Sequence, residues 1–272
     1  MELIHRKHGN HLYRTHCGAQ SYVLKWFGGP AQAEVQSYAL LQKLSVPTLP
    51  VYGRARDALL LEDLANSSAW RLAEEADVWR PETGAAVARW YLVLHSAGRK
   101  LVVDSAAPGF LRREVDVLTV ETIIETGRRL ELADDPVWRL AADHIEAIKQ
   151  AMRSLPETLN YNDFHWTNLA LSRSEAPLRA VVFDYHLLGI GLRYSDCRNV
   201  IGSLGEWAMT AFWETYGPVD ERERLLDEPA SVLYALWVAS RRSRFPEWAQ
   251  GCLRKVRSGE LEMSLRYALE VI

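Results

Sequence analysis

Between residues 12 and 64, apolar and polar positions follow the short-period pattern of strands, broken once by a helix. LYRTH and SYVLKWF flank Cys17-Gly18-Ala19, and LPVYGRA and ALLLEDL flank Arg56-Asp57. β-branched and aromatic residues bounded by turn formers predict two strand pairs. Between them lies AQAEVQSYALLQKL, where Val35, Tyr38, Leu41 and Leu44 recur at helical spacing and the pattern stops before Val46-Pro47. A small sheet-based domain over residues 1–65 is the expectation. Beyond Asn66-Ser67-Ser68 the pattern turns helical. PETGAAVARWYLVLHSAG has Pro81 for a first turn and Gly98 for a stop. In PVWRLAADHIEAIKQAMRSLP, Val137, Leu140, Ala141, Ile145, Ile148 and Met152 form one apolar stripe closed by Pro156. A short β island follows, NLALS and LRAVVFDY around Ser174-Glu175-Ala176-Pro177, and from Leu204 onward the chain again reads as helix. Residues 66–272 therefore read as a second, mostly helical domain. The chain shows no internal repeat and no low-complexity segment.

The 272 residues, 48% hydrophobic and 25% charged, supply apolar material for one large domain or two modest ones. A net charge of −3 leaves no basic excess for a phosphate backbone, which argues against nucleic acid. No apolar run approaches the length of a membrane helix, and MELIHRKHGN lacks a signal peptide's apolar stretch, so a cytoplasmic location is expected. The three cysteines, Cys17, Cys197 and Cys252, lack the spacing of a zinc site or disulfide framework. His5, His8, His11 and His16 have the residue type for a metal but fall on different faces of the predicted strands. Solvated histidines are the favoured reading.

The densest polar chemistry lies in Tyr161-Asn162-Asp163-Phe164-His165-Trp166-Thr167-Asn168, directly before the β island, with Asp184 ending its second strand. A carboxylate and a carboxamide on a loop can converge with a strand-end carboxylate in hairpin geometry. Phosphoryl transfer needs such a set: one carboxylate to orient the attacking hydroxyl, and hard oxygens to hold magnesium against phosphates. It needs a lysine too. Lys25 stands in the apolar strand SYVLKWF, and Glu34 on the following helix is placed to anchor it.

With these residues in place, the chain resembles the aminoglycoside phosphotransferase and choline kinase superfamily, small-molecule kinases of the protein-kinase fold. The resemblance spans nearly the whole chain and implies an α+β, two-lobed protein-kinase-like fold, with a small β-rich lobe, a larger helical lobe and ATP or GTP between them. Asp163 and Asn168 stand at the family's Asp-x-x-x-x-Asn spacing, with Asp163 implied as the catalytic base. Asn168 and Asp184 of VVFDY correspond to the Mg2+ ligands, and Lys25 with Glu34 to the pair that positions phosphates. LLLEDL looks like the hinge, so Leu61, Glu62, Asp63 and Leu64 are implied to hold adenine through their backbone. Asp196 resembles the acid that braces the catalytic loop, and His165 reads as a packed support of that loop. Gly9-Asn10-His11-Leu12-Tyr13-Arg14 is similar to the family's first hairpin. Three departures stand out: Tyr161 where the family has His, a short Lys25 to Glu34 connection, and a single glycine in the amino-terminal turn.

The short stretch from Asp184 to Asp196 leaves no room for a peptide platform, which points to a small-molecule acceptor. Glu206, Trp207, Trp213 and Glu214 concentrate acids and aromatics on the helices that follow, which suits an amine-bearing acceptor. Asp220, Glu221, Glu223, Asp227 and Glu228 add to the acidic character. Two rivals remain open: a non-catalytic nucleotide-binding module of the same fold, and a metal-dependent hydrolase using Asp163, His165 and Asp184.

Overall fold

The structure is a computed structural model that describes residues 1–7, 9–28 and 32–272. In chain order the elements are β1 (Glu2–Lys7), β2 (Asn10–Cys17), β3 (Gln20–Phe27), α1 (Gln32–Lys43), β4 (Val51–Arg54), β5 (Ala58–Glu62), β6 (Trp70–Leu72) and α2 (Pro81–Val103). They continue with α3 (Val120–Arg129), α4 (Val137–Ser154), β7 (Thr158–Asn160), β8 (Leu169–Ser172), β9 (Ala180–Val182), β10 (Gly189–Gly191) and α5 (Arg193–Ile201). Four helices end the chain: α6 (Glu206–Tyr216), α7 (Glu221–Ala239), α8 (Gln250–Arg257) and α9 (Glu260–Glu270). Among the described residues no helix is long and apolar enough to cross a membrane. Contacts divide the chain into two compact units: Met1–Phe110 with Leu159–Leu188 and Asp196–Pro218, and Leu111–Thr158 with Gly189–Ser195 and Val219–Ile272.

The first unit carries an antiparallel sheet in the order β1-β2-β3-β5-β4. Both predicted strand pairs are there, and β1 adds an edge strand whose residues Glu2 to Arg6 are exposed and lack a buried face to announce it. Lys25 pairs with Leu12 on one side and Leu59 on the other. Alternation along β3 buries Lys25 and Phe27 while Trp26 between them faces outward. On α1, Glu34, Tyr38 and Leu41 lie three and four residues apart and are all buried, so the carboxylate shares the helix face that packs inward.

Two sequence expectations are corrected here. The Gly98 stop does not occur, because α2 runs on to Val103 with Gly98 buried in its interior. A helical glycine costs about 1 kcal/mol, less than tertiary packing supplies. Nor is the chain beyond Ser68 purely helical before the β island: Trp70–Leu72 forms β6 and pairs with β8, making a three-stranded sheet in the order β6-β8-β9. Three residues are too few to display a period. The helix α2 packs on α6 so closely that a Cβ on Gly84 would lie 1.9 Å from the carbonyl oxygen of Ala208.

The second unit is mostly helical, with β10 as its one complete strand among the described residues. Trp138, Ile145 and Ile148 of α4 meet Leu226, Leu233 and Leu236 of α7 and Leu261 and Leu265 of α9 in one apolar cluster. The stripe read from PVWRLAADHIEAIKQAMRSLP is the buried face of α4. The helix α3 was missed in the sequence, although Thr119 caps it by accepting the Thr122 N–H.

One polar clamp fastens the end of β5. The Asp63 carboxylate, 3% exposed, accepts hydrogen bonds from Arg14 Nε at 2.8 Å, Ser21 Oγ at 2.9 Å, Asn66 Nδ2 at 2.8 Å and the Ala65 N–H at 3.2 Å. Burial pushes its pKa up, but these donors prevail and hold it down at about 2. A carboxyl depressed from 3.8 stabilises the fold above that pH, and the contribution disappears as pH falls through about 2. Asp63→Ala should lower the unfolding free energy by about 2 kcal/mol or more, read by urea denaturation at neutral pH. Below pH 3 the gap between variant and parent should shrink.

Candidate active site

The loop from Tyr161 to Asn168 is held from below. Asp196, fully buried in the first turn of α5, accepts the Tyr161 N–H at 2.9 Å and the Asn162 N–H at 2.9 Å. His95 of α2 meets the same carboxylate at 3.0 Å through Nε2, and its Nδ1 lies 2.6 Å from the Tyr216 hydroxyl of α6. Two backbone donors and a ring nitrogen on one carboxylate fix the loop's entry. Asn162 adopts φ +65°, a left-handed conformation that asparagine tolerates, and the chain then turns toward Asp163.

Asp163 and Asn168 come together. Asn168 Nδ2 donates to Asp163 Oδ2 at 3.1 Å and to the Asp163 carbonyl at 3.3 Å, so the amide oxygen Oδ1 takes no part in that contact. The Asn168 carbonyl accepts the Phe183 N–H at 3.0 Å, so the loop lies beside the end of β9 and Asp184. Burial pushes the Asp163 carboxyl above its ordinary range, with the Asp184 charge adding to the effect and His186 opposing it. His165 faces outward and caps the turn it starts, accepting the Thr167 N–H at 3.3 Å through Nδ1 with the Thr167 hydroxyl 2.8 Å away.

Lys25 is the centre of the charge arrangement. Its ammonium lies 2.8 Å and 2.7 Å from the two oxygens of Glu34 and 2.8 Å from Asp184 Oδ1. The short connection to α1 therefore does not separate Lys25 from Glu34. Residues 29–31 within it lie outside the described residues. Burial disfavours the charged amine, yet the two carboxylates outweigh it and hold the Lys25 pKa up. Burial likewise pushes the Glu34 carboxyl up, to about 7. Asp184 goes the other way: burial works against it, but a hydrogen bond from His186 and the Lys25 charge hold its pKa well below the usual carboxylate range.

Asp184 itself has φ +68° and ψ +63°, a left-handed backbone that costs a non-glycine residue roughly 1–2 kcal/mol. Such strain persists where the surroundings fix it. The Tyr161 hydroxyl donates to the Phe183 carbonyl just before it, and the Leu188 N–H donates to Tyr185 just after. His186, which the sequence reading did not single out, places Nδ1 3.1 Å from Asp184 Oδ1. The signal available was a histidine two residues beyond a strand-end aspartate.

The donor set suits magnesium chemically. Asn168 binds Asp163 through Nδ2 rather than Oδ1, and both Lys25 and His186 bind Asp184 through Oδ1, so Oδ2 stays free of them. These are hard oxygens, and three carboxylates against one lysine favour a cation nearby. Among the described residues no group of three or more His, Cys, Asp or Glu side chains forms a metal cage by itself. That holds for the amino-terminal histidines, of which His8 lies outside the described residues. His5 and His16 are exposed, and the His11 ring lies 5.1 Å from that of Trp26.

The remaining sequence-derived residues sit elsewhere. Leu61 and Leu64 are buried, the Glu62 N–H donates to the Pro50 carbonyl at 3.1 Å, and the Asp63 carbonyl accepts the Asn66 N–H at 2.9 Å. Glu206, Trp207, Trp213 and Glu214 lie on α6, and none hydrogen-bonds to Asp163, Asn168 or Asp184 among the described residues. Trp207 is 67% exposed. The acids of α7 are engaged differently from the sequence expectation. Glu223 is buried and takes the Arg193 guanidinium at 3.0 Å, and Glu221 and Glu228 both pair with Arg224.

No protein-family model matches the sequence, and no curated protein matches it. Solved structures do. The chain is similar to an ethanolamine kinase from Plasmodium vivax, with 13% identity over 97% of this chain and 83% of that one and a TM-score of 0.59. It is similar to a choline/ethanolamine kinase family protein from Mesorhizobium loti, with 14% identity, coverage of 98% and 92%, and a TM-score of 0.61. An ADP-bound aminoglycoside phosphotransferase, APH(2'')-Ib, matches with 14% identity, coverage of 99% and 93%, and a TM-score of 0.55. At such identities the likeness is one of fold, and over nearly its whole length the chain has the α+β, protein-kinase-like fold of these small-molecule kinases.

Proposed function

We propose that the chain is a magnesium-dependent small-molecule kinase that moves the γ-phosphoryl group of ATP, or of GTP, onto a hydroxyl of an amine-bearing acceptor. The observation that carries this reading is the Lys25 ammonium clamped between Glu34 and Asp184, beside the Asp163–Asn168 pair. Asp163 orients the acceptor hydroxyl and takes its proton as the oxygen attacks phosphorus and the bond to the β-phosphate oxygen breaks. A carboxyl whose pKa is raised by burial is a stronger base than an exposed one. Lys25, steadied by Glu34, positions the inner phosphates. Asn168 and Asp184 would hold magnesium, which supplies charge neutralisation. Leu61 and Glu62 are paired within the sheet to β3 and β4, and the Asp63 carbonyl is bound to Asn66, so in this reading adenine meets the Asp63 N–H and the Leu64 backbone beyond the end of β5. In this reading residues 1–65 form the nucleotide lobe, residues 66–272 the catalytic and acceptor lobe, and the protein works in the cytoplasm.

The hydrolase alternative has less support, because the His165 Nδ1 is engaged in capping its own turn. The acceptor assignment rests on α6. Ser203, just ahead of that helix, donates to the Phe164 carbonyl at 3.3 Å, next to Asp163 in the chain. Glu206 and Glu214 are exposed and make no ion pair among the described residues, and Trp207 and Trp213 accompany them. Carboxylates and aromatic faces attract a protonated amine. Ethanolamine, choline and aminoglycosides, named for the similar structures, are all nitrogen bases or quaternary amines.

Asp163→Asn should lower turnover by about a hundredfold or more while nucleotide affinity stays near that of the parent, measured by steady-state kinetics and calorimetry. Equal loss of both would remove Asp163 from its assigned role. For the acceptor, amines should outperform neutral sugars of similar size in a nucleotide-consumption panel. Their apparent affinity should fall with added salt, because screening weakens the attraction. A neutral sugar as the best acceptor would end the amine assignment and leave the kinase assignment standing.

A further inference from the structure

Asp184 has two oxygens and the structure treats them unequally. Lys25 Nζ at 2.8 Å and His186 Nδ1 at 3.1 Å both meet Oδ1. An ionised carboxylate only accepts, so the hydrogen in the His186 contact sits on Nδ1 in either charge state of the ring. Oδ1 thus receives two donors from different directions. One comes from β3, 159 residues away in the chain, and one from the turn immediately after Asp184. The carboxylate plane is fixed by this pair, whereas Lys25 alone would leave rotation about it. The histidine side chain is 45% exposed, and Nδ1 also lies 3.4 Å from the Asp184 carbonyl, so the ring is not a packing element of the core.

We infer that His186 is a positioning residue which, together with Lys25, pins Asp184 Oδ1 and thereby presents Oδ2 to the divalent cation. This rests on the proposed kinase reading, in which Asp184 is a metal ligand, and adds a residue to it. Groups behind a metal ligand commonly change metal affinity by about 10–100-fold when removed, because a ligand free to rotate must be ordered on binding. Exposure of the ring makes His186→Ala a variant that should fold as the parent does. His186→Asn offers an amide N–H close to the place of Nδ1.

The test is Mn2+ binding in the presence of a non-hydrolysable nucleotide, followed by electron paramagnetic resonance, with thermal unfolding as the control for folding. His186→Ala should weaken Mn2+ binding about tenfold or more, and His186→Asn should recover most of the loss. Parental Mn2+ affinity in His186→Ala, alongside lost binding in Asp184→Ala, overturns the role of His186 and leaves the kinase reading intact. Equal weakening in the alanine and asparagine forms also overturns it, since a donor at that place would then not be what matters. If Asp184→Ala itself binds Mn2+ like the parent, the metal assignment beneath the inference fails as well.

Discussion

A buried ammonium shared by two carboxylates organises the site. Lys25, 8% exposed, could not stay charged among Phe27, Leu12 and Leu59 without Glu34 and Asp184. Removing one partner of such a group leaves an uncompensated charge, which costs roughly 3–5 kcal/mol. An apolar replacement of the whole set would stabilise the fold as well or better, so its presence is poorly explained by stability alone. Perturbed carboxyls gathered with a lysine instead mark a place where charge is used. Three elements meet there: β3 supplies the lysine, the first turn of α1 supplies Glu34, and the strained turn after β9 supplies Asp184.

A second carboxylate does for the backbone what Lys25 does for the side chains. Asp196 gathers the N–H groups of Tyr161 and Asn162, and through His95 it reaches Tyr216 on α6. The loop bearing Asp163 is therefore tied to α2, α5 and α6 by hydrogen bonds in a place closed to water. Asp163 is left with Asn168 as its side-chain partner and with burial raising its basicity. In the proposed kinase reading, preorganisation of this kind would lower the entropic cost of holding the acceptor hydroxyl in place.

What the sequence could announce was local. The two strand pairs, α1 and the stripe of α4 were legible because their periods run over enough residues to be read. The spacing of Asp163 and Asn168 has no period and was legible through its resemblance to the family's Asp-x-x-x-x-Asn motif. Lys25 in an apolar strand and Glu34 early on the next helix could be matched because only nine residues separate them. The ion pair from Lys25 to Asp184 spans 159 residues, and no local pattern encodes it. The Asp63 clamp was hidden similarly, since Arg14 and Ser21 reach it from β2 and β3, whereas His186 lies two residues from Asp184 and was passed over because a lone histidine after a strand has no distinctive pattern. Gly98 misled because propensity is weak against the packing of a buried helix. Among the acids of α7, the Arg224 pairs with Glu221 and Glu228 follow helical spacing, whereas the Arg193–Glu223 pair joins residues 30 positions apart and has no local signature.

The central claim is that this constellation transfers phosphate to an acceptor rather than to water. Its most direct measurement follows the γ-phosphate label of ATP or GTP in the purified protein with an amine panel, comparing the parent with Lys25→Met. The account predicts label on the acceptor in the parent and a loss of about a hundredfold or more in the variant. Label released only as inorganic phosphate, at a rate indifferent to acceptor and to Lys25, would contradict it.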